Sequence, residues 1–458
     1  MTVASEDLPL GWELATIAEV TQPVPNIEPT RQPGTIFNYI DISSIDNRRL
    51  EVTEPRRITG SEAPSRAKRP VEDGDVLFSN VRTYLRNVAR ISGIQQPAIA
   101  STGFTVLRPN GRVLQDFLFR WVASDEFLQL VTPMQTGTHY PATSDRVVRA
   151  QHIPLPPLAE QRRIIDLLDR LDDERTAALF NLARAKTLLG DFHRTVLSSA
   201  CSGRLTEDWR LDHPDLEAAD AEYLLACRQA EQGRRFKAIK PSPHASESEI
   251  PEQWSRVPLG VLLRDLKYGT SKRSEYAIDG TPVIRIPNVS GPSFDSSDLK
   301  FTALTNVERE ALSLRPGDLL MIRSNGSVEL VGKTMLVPEE AHGMAFAGYL
   351  MRLRLDSSAI DPSYAELVLA SPDLRKQIEM PARSTSGVHN INSTEVRGLV
   401  IALPPLSEQR EIVRRVEGLL REGEEILAKV AAASLLLERT GQAALAKAFR
   451  GELAEAVI

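Results

Sequence analysis

The chain has 458 residues, with 55 Lys and Arg against 61 Asp and Glu and a net charge of −6. That length exceeds one ordinary core and implies about two to four domains. The acidic balance excludes a uniformly basic coat but not a local basic groove. Cys201 and Cys227 are the only cysteines, which argues against a disulfide scaffold or a cysteine-built zinc site. No apolar run reaches the roughly 18 residues needed to cross a bilayer, and the opening Met-Thr-Val-Ala-Ser-Glu-Asp has no signal-peptide character. We therefore expect a cytoplasmic protein with no membrane partner.

In chain order, residues 1–152 form a mixed module, in which β-rich runs at Phe37–Ile42, Asp75–Phe78 and Phe104–Leu107 are broken by Pro and Gly. Residues 153–205 are helical from Pro157, whose missing N–H is harmless in a first turn. Residues 206–250 read as a polar connector with one helix predicted over Asp215–Lys237, then a Lys240-Pro-Ser-Pro-His tail. Residues 251–400 return to the mixed pattern, and residues 401–458 are helical again from Pro405.

The second half restates the first. Pro-Leu-Pro-Pro-Leu-Ala-Glu-Gln-Arg-Arg-Ile at 154–164 recurs as Ala-Leu-Pro-Pro-Leu-Ser-Glu-Gln-Arg-Glu-Ile at 402–412, a shift of 248 (408 − 160 for the glutamates). Pro9 and Trp12 match Pro251 and Trp254, Gly74-Asp75 matches Gly317-Asp318, and Ala123-Ser124 matches Ala370-Ser371. Thr136-Gly137-Thr138-His139 matches Ser386-Gly387-Val388-His389, and Gly203 matches Gly451. Between these landmarks the modules differ, the pattern of one scaffold carrying two unlike surfaces.

A 4-3 apolar spacing runs through each helical segment. Ile164, Leu168, Leu171, Arg175, Ala178, Leu182, Ala185, Leu189, Phe192 and Val196 form the first series. Ile412, Val416, Leu419, Gly423, Ile426, Val430, Ala433, Leu437, Thr440 and Ala444 form the second. The heptad phase is the same under the 248 shift, which predicts a coiled-coil seam between helices on the order of 65 Å long. The competing reading packs each helix on its own module. Both series break at one rung, Arg175 and Gly423, as a register device or a thin spot. The expected fold is therefore α/β (α+β): two mixed modules joined by two long helices in an antiparallel coiled coil, pseudo-twofold symmetric.

No catalytic constellation emerges. There is no Asn/Asp-Pro-Pro-Tyr/Phe motif and no Gly-x-Gly-x-x-Gly after a strand. Gly326 to Thr334 imitates a phosphate loop but has five residues between its glycines where four are needed, and reads better as a hairpin. The seven histidines show no metal-ligand spacing.

The module order, the repeated Pro-Pro-Leu-x-Glu-Gln-Arg, the Ser202-Gly203-Arg204-Leu205 and Arg450-Gly451-Glu452-Leu453 ends and the Gly-Asp-x-Leu signals resemble the specificity subunit of type I restriction–modification systems over essentially the whole chain. The resemblance implies a non-catalytic subunit. Segments 1–152 and 251–400 would be target-recognition domains, each reading half of a bipartite site in double-stranded DNA. Segments 153–205 and 401–458 would be the conserved helical regions that set the spacer and dock two methyltransferase subunits. Those partners would carry S-adenosylmethionine and methylate adenine after flipping it out. Restriction subunits would use ATP and Mg, and this chain would hold no cofactor or metal. The 206–250 connector departs from the simplest family layout. The alternatives are the equivalent subunit of a fused methyltransferase–nuclease system and a tandem-module scaffold for protein ligands.

Within that frame, residues 79–87 carry Ser79, Asn80, Arg82, Tyr84, Arg86 and Asn87, where Arg and Asn alternate with an aromatic. Arg can fork onto guanine and Asn onto adenine. The corresponding stretch of the second module holds Arg323, Ser324, Asn325 and Ser327, with Lys333 beyond, and Lys272 and Arg273 lie in a polar loop. His139, Tyr140, His389, Asn390 and Asn392 are further candidates. A solvated face is the competing reading for any single one of these side chains.

Overall fold

The computed structural model describes residues 8–137, 141–276, 279–382 and 387–453. The chain forms two compact units, one from Met1–Arg184 with Val430–Ile458 and the other from Ala185–Lys429.

In the first unit, a four-stranded sheet orders Arg56–Thr59, Ile36–Ile40, Ala98–Ser101 and Ala67–Val71. A second sheet orders Thr21–Gln22, β2 (Phe104–Pro109), β1 (Val76–Ser79) and Val88–Arg90. Every residue of β1 is buried, because the sheet is covered by Val24, Ile40 and Ala98 on one side and by the helix α1 (Gln115–Val122) on the other. The repeated Gly-Asp has a local cause. Asp75 is fully buried, accepts from the Glu72 N–H at 2.8 Å, and is gripped by the forked guanidinium of Arg108 on β2 at 2.8 and 2.9 Å.

The second unit builds the same core with other residues. One sheet orders Leu263–Tyr268, β4 (Leu350–Leu355), β3 (Leu319–Ile322) and Thr334–Leu336, and another orders Lys300–Thr302, Thr281–Ile284 and Ala345–Phe346. Asp318 accepts from the Arg315 N–H at 2.9 Å and is forked by Arg354 of β4 at 2.7 Å through both Nε and Nη2. The phosphate-loop imitation connects a hairpin, since β3 pairs antiparallel with Thr334–Leu336.

The two long helices are α2 (Leu158–Cys201) and α5 (Leu406–Phe449), each 44 residues. Within the first unit, the start of α2 meets the end of α5: Ile164 and Leu168 share a core with Ala448 and Phe449, and a Cβ on Gly441 would lie 3.5 Å from the Arg175 guanidinium. Within the second, the end of α2 meets the start of α5: Val196, Leu197 and Ala200 share a core with Ile412 and Val416, and Phe192 lies against Gly423. The pairing is antiparallel in each unit, as the heptads predict. Arg175 and Gly423 do not share a rung; each is set against a residue of complementary size. The seam is fully buried only where a module covers it. Leu182, Leu189, Val430 and Leu437 are half-buried, while Leu171 and Ile426 are exposed, because two strands of coil leave one side of a rung to water.

The repeated Glu-Gln is a latch between module and helix. Gln161 is fully buried; its carbonyl accepts from the Leu114 N–H at 2.8 Å, and its amide donates to Arg112 and Pro156 carbonyls at 3.0 and 2.9 Å. Gln409 repeats this with the Asp361 N–H at 2.8 Å and the Ala359 and Pro404 carbonyls at 3.1 and 2.9 Å. Each therefore pins the start of a long helix to the start of a module helix, α1 in one unit and α4 (Pro362–Leu369) in the other. The glutamates diverge. Glu408 is fully buried under Thr206, Arg210 and the Trp254 indole N–H, whereas Glu160 forks Arg163 near the surface.

The 206–250 segment corrects one expectation. Its helix is α3 (Ala221–Gln232), shorter than Asp215–Lys237, because Asp220 caps the Tyr223 N–H and Gly233 leaves the helix at φ +51°. It is also no free linker. Leu224, Leu225 and Ile239 pack on the second unit's core, and buried Arg228 donates to the Val261 carbonyl and pairs with Glu231 and Asp356.

Candidate nucleic-acid interface

In the first unit, two segments singled out separately in the sequence are hydrogen-bonded neighbours. The chain leaving β1 meets the 141–145 loop: Arg82 N–H donates to the Pro141 carbonyl and Thr143 N–H to the Asn80 carbonyl, both at 2.8 Å. Ser79, Asn80 and Asn87 are buried. The Asn80 side chain accepts from Thr105 at 2.7 Å and donates to Asp145, which also pairs with Arg69 at 2.6 Å. Asn80 is thus committed to holding the loop, and Arg86 to Asp125 and the Ala123 carbonyl. Between Arg82 and Arg86, both left-handed at φ +48° and +54°, a short turn lifts Tyr84 and Leu85 into solvent. Asn47 donates to the Leu85 carbonyl at 3.0 Å, which brings exposed Arg48 and Arg49 alongside. His139 and Tyr140 lie outside the described residues.

The second unit repeats the juxtaposition. Ser324–Asn325 pairs antiparallel with His389–Asn390, and Ile391 N–H donates to the Arg323 carbonyl at 2.9 Å. Here the result is a cleft of about 690 Å³. Arg323 sits in it with its guanidinium 4.8 Å from the Tyr268 ring centre, beside Asn390 and the exposed ring of Tyr349. Lys272 and Arg285 line the cleft with carboxylates attached: Lys272 with Glu308 at 2.7 Å, Arg285 with Asp298 at 2.7 Å. Lys272, helped by the Thr305 N–H, draws Glu308 down to about 2. The Tyr276 hydroxyl and Arg285 hold Asp298 below the ordinary carboxylate range.

Other candidates are occupied elsewhere. Lys333 donates to the Ser290 and Gly291 carbonyls, Asn392 caps the helix Ser393–Gly398, the Asn325 carbonyl accepts from Ser327 N–H, and the Ser327 hydroxyl bonds Glu329. Arg273 is exposed with Glu275. The sequence reading missed Arg285, Lys300 and Tyr349, which line the cleft. Each sits at or beside a strand end, and strand-end cations were the signal that went unused.

A family profile described as the type I restriction modification DNA specificity domain matches residues 9–181. The EcoKI specificity subunit of Escherichia coli strain K12 is 28% identical over 461 residues, covering 97% of this chain and 90% of the relative. The StySPI specificity subunit of Salmonella potsdam is 25% identical with the same coverage, 97% and 90%. The crystal structure of the HsdS subunit from Thermoanaerobacter tengcongensis superposes with a TM-score of 0.63 at 27% identity, covering 97% and 98% of the two chains. A chain from a structural study of assembly and conformational transition in the type I R-M system gives 0.69 at 27% identity, covering 97% and 99%. With its repeated core, its duplicated glutamine latch and this end-to-end likeness, the chain is similar over nearly its whole length to specificity subunits of type I restriction–modification systems.

Proposed function

We propose that this chain supplies DNA sequence specificity to a type I restriction–modification complex, each unit reading one half of a bipartite site. The observation that carries the reading is a shared scaffold with unlike reading surfaces. Both units bring the strand exit after Gly-Asp-x-Leu against a downstream loop, but one presents an exposed Tyr84–Leu85 turn and the other a cleft around Arg323. Recognition domains lie within 1–152 and 251–400, and the candidates facing solvent or the cleft are Tyr84, Arg323 and Asn390 with their neighbours.

Off-seam apolar residues on the long helices support a docking role. Phe180, Leu435 and Leu436 in the first unit, and Leu188 and Leu427 in the second, are exposed. Such faces suit the helices of methyltransferase subunits. Those partners would bind S-adenosylmethionine and methylate adenine, and restriction subunits would bring ATP and Mg. Among the described residues, no cluster could hold a metal and no helix is long and apolar enough to cross a membrane.

Sequencing methylated bases in cells with and without this chain tests the reading. A bipartite methylated motif should vanish on deletion and return on complementation. An unchanged methylome would refute it.

A further inference from the structure

We infer that Arg323 is a specificity-determining residue that reads a guanine in the half-site of the second unit, and that Tyr268 is its positioning residue. The inference rests on the DNA-reading role proposed above and names the residue and base within it.

Arg323 is held on every side. Its N–H donates to the Tyr349 carbonyl at 2.9 Å and its carbonyl accepts from Ile391 N–H at 2.9 Å, so its backbone is clamped between two segments. Its guanidinium rests 4.8 Å from the Tyr268 ring centre, a cation–π distance. One Nη1–H donates to the Gly348 carbonyl at 3.3 Å. Tyr268 is itself fixed, since its hydroxyl accepts from Ser393 N–H at 2.8 Å. A long side chain ordinarily loses rotamer freedom on binding; here that cost is met in the free protein. The Arg323 Nε–H is buried and meets no acceptor among the described residues, which leaves the Nη groups to meet a ligand in the cleft.

The surroundings favour a base edge over a phosphate. Of the other cations lining the cleft, Lys272 and Arg285 carry Glu308 and Asp298, whose charges oppose a second anion, and Lys300 lies over the Tyr276 ring at 4.6 Å. The choice of base follows from donor count. Arginine offers only donors, and guanine presents two acceptors, O6 and N7, in the major groove. Adenine sets a donor beside its acceptor and cannot take the fork.

The test uses the full chain assembled with its methyltransferase subunits, on duplexes substituted one base pair at a time through both half-sites. With Arg323→Ala, discrimination at one G·C pair of the second half-site should fall by about 10- to 100-fold, with first-half-site preferences unchanged. Arg323→Lys, which keeps the charge and lacks the fork, should lose the same preference while total binding stays near wild type. It carries the test should the alanine variant fold poorly. Tyr268→Phe should retain the preference and Tyr268→Leu should weaken it at that same pair, a positional signature that general loosening would not give. Equal loss on all sequences with every preference intact would make Arg323 a phosphate contact and overturn the assignment. Loss of preference at a pair other than G·C would also overturn it. A wild-type complex with no preference in either half-site would sink the DNA-reading role instead.

Discussion

Single residues in the repeated motifs hold positions that only one chemistry fills. Gln409 is itself fully buried and satisfies an N–H and two carbonyls at once, the Pro404 carbonyl buried and the Asp361 N–H and Ala359 carbonyl partly so. Gln409→Leu strands all of them, and each orphan costs about 1–3 kcal/mol. We expect the second unit to lose on the order of 3 kcal/mol in denaturant unfolding, with the first unit's transition unmoved. Glu411 offers a pH reading. Arg414, then Arg415, draw its carboxyl down to about 2 from the ordinary 4.5. A depressed folded-state value means the stabilisation is present above about 4.5 and is lost as pH falls through about 2. Acid titration followed by circular dichroism should therefore show less loss over that window in Glu411→Gln than in wild type; equal loss would place the acid sensitivity elsewhere. These roles were only half legible. The sequence marked Gln161, Gln409, Asp75 and Asp318 as repeated, but a repeat does not say whether a polar residue meets solvent or an interior carbonyl.

Among the elements, the long helices were the most legible, because a heptad is a local pattern with a global consequence. Their phase and antiparallel pairing within each unit were readable; the thinning of the seam at Leu171 and Ile426 was not, since burial depends on what else covers a rung. How the connector packs was illegible for a related reason. Arg228 looks like a solvated residue until Asp356, distant in sequence, lies opposite it. The candidate interface was legible as segments and illegible as a cleft, because Lys300 reaches it through strand pairing with Val283 and Tyr349 through its carbonyl on the Arg323 N–H. The glycines of the second helix give a prediction with two signs. A Cβ at Gly418 meets nothing within 4 Å, and one at Gly423 comes no nearer than 3.8 Å to Phe192, so alanine at either should stabilise by about 0.5–1 kcal/mol. Gly451 has φ +75° and a Cβ there would lie 2.2 Å from Pro9 Cγ, so Gly451→Ala should destabilise the first unit. Thermal unfolding of the three variants measures this, and a gain for Gly451→Ala would contradict the packing described.

For the whole molecule, both long helices pass from one unit to the other, so a matched insertion changes the connection while keeping heptad phase. Seven residues after Leu182, balanced by seven after Val430, add about 10 Å, or about three base pairs of duplex. Methylation-site sequencing should then show a longer unspecified gap between unchanged half-sites; an unchanged gap would refute a spacer role for the helices. The chain's net charge of −6 also predicts weak DNA binding by the isolated subunit and a steep gain when partners join, measurable by gel shift. Tight specific binding by the subunit alone would contradict it.

The left-handed glycines that close the two helices carry a consequence for descent. Gly451 receives Pro9 just as Gly203 receives Pro251, at a Cβ distance that leaves room for hydrogen alone. Each reader therefore plugs into the same kind of socket, made from residues that do no reading. Recombination between two genes with breakpoints near these sockets can import a foreign reader whole, already seated.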